Sequence, residues 1–204
     1  MFAEVRTLLD EDVEGFYLNP EIYTALTNGQ REYASIIYAQ FDGLRKQDRN
    51  VPIPLTLLPL FVESPNIPIL STDKVIPITS PITGLWKVIY VTYGSASTPL
   101  LERDLSSVRP FRQANSIMNP VNTFYAVTST QIELENKVSA STVNYQVAYL
   151  TEPTDINATI NPILPDWTHA AIVQYAYSEM LKKPKLLNEA LSAFNQFIQM
   201  IQYK

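Results

Sequence analysis

The sequence predicts an α+β fold in which helices from both ends of the chain form one bundle, with a Pro-rich extended arm and a small antiparallel β-domain inserted between them. Apolar residues recur at helical spacing near both termini, and β-branched and aromatic residues mark strands in the middle. A proline-rich apolar stretch separates the first helices from the strands. We therefore divide the 204 residues into N-terminal bundle helices (1–50), the arm and β-domain (51–164) and a C-terminal helical hairpin (165–204).

Two helices are predicted in the first fifty residues. A short helix begins near Phe2 and ends at or before Asp10, because negative charge opposes the dipole at a helix C-terminus. The Asn19-Pro20-Glu21 sequence is a strong start signal for a long helix that continues to about Lys46. Its apolar stripe consists of Ile22, Leu26, Gly29, Tyr33, Ile37, Phe41 and Leu44. The glycine in this stripe indicates either the close approach of another helix or a kink.

The segment from Val51 to Ile82 is both proline-rich and apolar. Such a density of proline excludes a helix or a central strand, so we expect an extended arm with short edge strands at most. A disordered linker would be polar, whereas Leu55 to Val62 is strongly apolar. The arm is therefore expected to lie either on the chain's own β-domain or on a neighbouring subunit.

Three strands are predicted after the arm, and we expect them to form one small antiparallel sheet. They are Leu85 to Tyr93, Phe124 to Glu135 and Val143 to Leu150. Between the first two, Thr98 to Asn119 is interpreted as a short helix and a loop. Glu152 to Leu164 is a polar connector that leads back to the helices.

The C-terminal hairpin is predicted to begin at Asp166, as the N-cap of the penultimate helix, and to turn at Pro184, which opens the last helix. The last helix has two neighbouring apolar stripes, which indicates packing against more than one neighbour. One comprises Leu187, Leu191, Phe194, Ile198 and Ile201, and the other Leu186, Ala190, Ala193, Phe197 and Met200. We expect Phe194 to be a core residue. The remaining face carries amides instead of charges, which fits either contact with another polypeptide or a merely polar outer face.

Composition argues for a non-enzymatic subunit of an assembly. Charged residues make up 17% of the chain, below the ~25% typical of soluble domains, and such a surface tends to associate. The net charge of −5 argues against a nucleic-acid-binding domain. There is no cysteine, His169 is the only histidine, and the glycines are scattered, so we predict no catalytic residues, cofactor or metal. No apolar run is long enough for a membrane anchor, and we expect a soluble protein made in a cytoplasm.

Two stretches resemble the head-to-tail adaptor, or connector-ring, proteins of tailed bacteriophages. The first runs from Leu8 to Glu32 and contains the pattern E-I-x-x-A-L-x-x-x-Q, which begins at Glu21 and ends at Gln30. The second is Leu164-Pro165-Asp166-Trp167 with the Ala-rich helix after it and the last helix rich in Leu, Ala, Phe and Gln. They cover less than half of the chain. The proline-rich arm is similar to that of larger ring proteins of short-tailed phages, including crAss-like phages.

This resemblance implies a structural virion protein, located in the neck and tail and in the host cytoplasm during assembly. Members of that family form rings of twelve copies. Their partners are the portal protein and further neck or tail proteins. Phage DNA passes through the lumen without sequence-specific binding. We expect the subunit interface to include Leu55, Leu57, Leu58, Leu60, Phe61, Gln196, Gln199 and Tyr203. The alternative is a peptide- or glycan-binding module in which the sheet presents Tyr90, Tyr93, Tyr125 and Tyr145.

Overall fold

The computed structural model describes residues 1–11, 15–70, 75–79, 82–93, 99–105, 108, 124–134 and 142–201. It confirms a mixed α+β architecture in which the N- and C-terminal helices pack together and two small sheets are inserted between them. The chain divides into two compact units. The helical unit comprises Met1–Leu60 and Pro153–Lys204, and the β-unit comprises Phe61–Glu152. Residues 51–60 of the predicted arm and the connector at 153–164 thus belong with the helices.

In the part of the chain that the structure describes, the helical unit contains four α-helices, named here in chain order. They are α1 (Phe2–Leu8), α2 (Asn19–Gln47), α3 (His169–Lys182) and α4 (Leu187–Met200), with short 3-10 turns at Leu58–Leu60 and Asp166–Thr168. Both predicted N-terminal helices are confirmed. The ends of α2 lie within one residue of the expected ends. Helix α3 packs against α1, α2 and α4, so it is the central element of this unit.

The structure corrects the predicted boundaries of the C-terminal hairpin. Asp166 is exposed and begins a 3-10 turn, whereas the α-helical conformation starts at His169. Pro184 ends α3 instead of opening α4. After it, Lys185 has a left-handed φ of 63°, and the Leu186 amide donates to the Leu181 carbonyl at 3.1 Å. This is a Schellman-type helix end, with lysine where glycine is usual.

Gly29 marks a close approach of α2 and α3, which is one of the two predicted interpretations. A Cβ atom on Gly29 would lie 3.0 Å from Cδ1 of Tyr175 and 3.1 Å from the carbonyl oxygen of Ile172. The second of these neighbours is backbone, which moves less readily than the end of a side chain. The missing side chain therefore sets how closely the two helices approach.

We expect Gly29→Ala to lower the free energy of unfolding by about 1–3 kcal/mol, because overpacking outweighs the helix propensity that alanine adds. Gly43→Ala, on the same helix, is the matched control. Nothing lies within 4 Å of a Cβ at that position, so this change should raise stability by up to ~1 kcal/mol. Chemical denaturation of both variants measures the difference. Equal stabilisation by the two changes would show that contact with α3 does not constrain Gly29.

Within the described residues, the β-unit contains two four-stranded sheets, where one sheet was predicted. Its strands are β1 (Phe61–Glu63), β2 (Ile67–Leu70), β3 (Val75–Pro77), β4 (Leu85–Tyr93), β5 (Leu101–Glu102), β6 (Phe124–Val127), β7 (Gln131–Leu134) and β8 (Thr142–Thr151). In the first sheet, β8 pairs with β4 and with β1 and β2, all antiparallel. The second has the order β3-β7-β6-β5, in which β5 and β6 are parallel.

The second sheet forms because the predicted strand from Phe124 to Glu135 is interrupted by a turn. The Thr128 hydroxyl donates to the Gln131 carbonyl at 2.8 Å, and β6 and β7 form a hairpin around this turn. Strand β7 then pairs with β3, which comes from the arm, and not with β4 or β8. One apolar core is built from both sheets, including Val91, Tyr125, Ile132, Tyr145 and Val147.

The second half of the arm is an edge of the chain's own sheet. Strands β1 and β2 pair with successive parts of β8, and Ser64 lies between them. The Ser64 amide donates to the Val147 carbonyl at 2.8 Å, while the Val147 amide donates to the Ser64 hydroxyl at 2.9 Å. Pro65 and Pro68 are exposed here, which fits an edge strand because proline lacks a donor for further pairing. Most of the predicted helix and loop at Thr98–Asn119 lies outside the described residues.

Candidate assembly surface

Helix α4 buries only the middle of one of its two apolar stripes, whose end residues Leu186 and Met200 are 43% and 39% exposed. Ala190, Ala193 and Phe197 face the interior of the helical unit. The alanines allow α4 to lie close to α3, and the Phe197 ring lies 5.1 Å from the ring of Tyr175 and 6.4 Å from that of Tyr33. The stripe with the smaller residues is therefore the packing face.

The other stripe is mostly exposed, which corrects the prediction that Phe194 is a core residue. Leu187, Leu191 and Ile198 are 66%, 60% and 44% exposed, and Phe194 is partly buried. The Phe194 ring lies 5.7 Å from that of Phe197 and 6.2 Å from that of Tyr175. These four residues are spaced at i, i+4, i+7 and i+11, so they form one continuous line, which we call the α4 ridge.

The face beside the α4 ridge is polar but almost free of charge. Glu189 is the one charged residue among the fourteen of α4. The exposed polar side chains are Asn188, Ser192, Asn195, Gln196 and Gln199. Two of the predicted interface residues, Gln196 and Gln199, thus lie on this face, although Gln196 also accepts a hydrogen bond from Gln174 at 2.9 Å. The third, Tyr203, lies outside the described residues.

The arm contributes less surface than predicted. Leu57 and Leu60 are 0% exposed, because the chain turns at Leu58–Leu60 and directs both side chains into the protein. They are unsuited to contact a neighbouring subunit in this conformation. Leu55 and Leu58 are about half exposed, and Phe61, the first residue of β1, is partly buried. Of the five predicted arm residues, two remain clearly available on the surface.

Two of the four tyrosines that motivated the alternative function are buried in the β-unit. Tyr125 and Tyr145 are each 1% exposed and belong to the core between the sheets. The Tyr90 hydroxyl donates to Glu63 at 2.5 Å, and burial together with this carboxylate raises the pKa of Tyr90 to about 12. The side chain of Tyr93 is outside the described part of the structure. Tyr125 and Tyr145 therefore cannot line a binding face in this conformation.

The motif that carried the family resemblance is used by the fold of the helical unit. The Glu21 carboxylate accepts hydrogen bonds from the Lys183 ammonium at 2.8 Å and from the Leu18 amide at 2.9 Å. These two hydrogen bonds lower the pKa of Glu21. Ile22, Ala25 and Leu26 are buried. The motif therefore joins the start of α2 to the end of α3.

Gln30, at the end of this motif, holds the connector against α2. Its amide donates to the Thr154 carbonyl at 2.9 Å and accepts from the Ile163 amide at 2.8 Å. Arg6 of α1 is also buried and donates to the Tyr17 carbonyl and to the side chain of Asn19. These polar groups are thus occupied by internal hydrogen bonds.

The described residues contain no cluster suited to a metal ion. No group of three or more His, Asp or Glu side chains is placed to bind one within these residues. His169 lies with Nε2 at 3.2 Å from the Leu164 carbonyl oxygen, which gives it a role in positioning the start of α3.

Comparison with known protein families gives no match, and comparison with curated protein sequences likewise gives none. Among the described helices, none combines the length and the apolar character required to cross a bilayer. The candidate site is therefore defined by the geometry of the chain itself, and its main feature is the α4 ridge.

Proposed function

We propose that the protein is a structural virion protein, a ring-forming head-to-tail adaptor that joins the portal to the tail of a tailed bacteriophage and lines the DNA exit channel. The observation that carries this proposal is the α4 ridge, an apolar line on a helix with a single charge. A helix that is free in solution is usually covered by charged pairs. The resemblance of α2 and the C-terminal helices to the adaptor family supplies the type of assembly.

The free energy that burial of the α4 ridge could contribute fits a contact that is repeated many times. Complete burial of a Leu or Ile side chain contributes about 1.5–3 kcal/mol. Scaled by the exposed fractions of Leu187, Leu191 and Ile198, the ridge offers roughly 3–5 kcal/mol per contact. Association costs about 4–15 kcal/mol in lost freedom of motion. One such contact is therefore weak, whereas a closed ring on a template can repeat it around the whole circle.

The test is assembly of the purified full-length chain with and without the portal protein of the same virion. We expect the chain alone to be monomeric or weakly associated in size-exclusion chromatography with light scattering. With portal present, negative-stain images should show a ring of added density at one end of the portal. A chain that remains monomeric at high concentration and adds no density to the portal would overturn the proposed function.

A further inference from the structure

We draw no further inference here: the strongest candidate, the α4 ridge formed by Leu187, Leu191, Phe194 and Ile198 on the exposed side of the last helix, belongs to the site already described, and nothing in the structure shows what covers it.

Discussion

Leu57→Asp is expected to unfold the helical unit. Leu57 is 0% exposed, so the change removes about 1.5–3 kcal/mol of apolar burial. It also places a carboxylate in an apolar interior, which costs several kcal/mol more or forces the group to take up a proton. The sum approaches the total stability of a typical domain, about 5–15 kcal/mol. Circular dichroism should show a large loss of helical signal at neutral pH.

Leu58→Asp is the matched control, one residue away with 46% of its surface exposed. This change should alter the free energy of unfolding by about 0.5 kcal/mol or less. Comparable melting of the two variants would mean that Leu57 is not part of the core and that the whole arm lies on the surface. Because Leu58→Asp should remain folded, its incorporation into portal complexes also measures whether this part of the arm contacts a neighbour.

Much of the architecture could be predicted from periodic patterns in the sequence. The long stripe from Ile22 to Leu44 predicted α2, because one buried face requires regular spacing over many turns. Strands β4 and β8 were predicted in the same way from dense β-branched and aromatic residues. The number of sheets was not predictable on this basis. Pairing of β7 with β3 joins residues 54 to 58 positions apart, and local patterns carry no signal for such a contact.

The arm shows why the candidate site was only partly predictable. Its proline content correctly predicted extended chain and edge strands, but composition does not determine which of several adjacent leucines point inward. The turn at Leu58–Leu60 makes that choice, burying Leu57 and Leu60 and exposing Leu55 and Leu58. Gln196 and Gln199 of α4 were predicted interface residues, whereas the residues of the α4 ridge were assigned to packing within the protein. The large residues of the α4 ridge suggested a core. The small residues Ala190 and Ala193 of the other stripe indicated close packing and could have identified the buried face.

Phe197→Ala is expected to lower the free energy of unfolding by about 3–5 kcal/mol. The Phe197 ring is 0% exposed and contacts the rings of Tyr33, Tyr175 and Phe194, so truncation leaves a cavity where α2, α3 and α4 meet. The surrounding aromatic rings are rigid and fill such a cavity poorly, which places the cost in the upper part of the range for buried residues. Chemical denaturation of the isolated chain measures this loss, and assembly on portal should fall only as far as the folded fraction falls.

Phe194→Ala should show the reverse pattern, because Phe194 is partly exposed on the α4 ridge and lies against the interior along one side. We expect Phe194→Ala to lower the free energy of unfolding by about 1–2 kcal/mol, scaled down from the cost at a completely buried position. When the two variants are compared at the same folded fraction, Phe194→Ala should reduce ring formation more than Phe197→Ala does. Comparison of the two variants distinguishes the roles of the two stripes of α4, since Phe197→Ala is expected to act through folding and Phe194→Ala through association. If Phe194→Ala proved the more destabilising and assembled normally, α4 would be rotated about its axis relative to this structure, and the ridge would belong to the core.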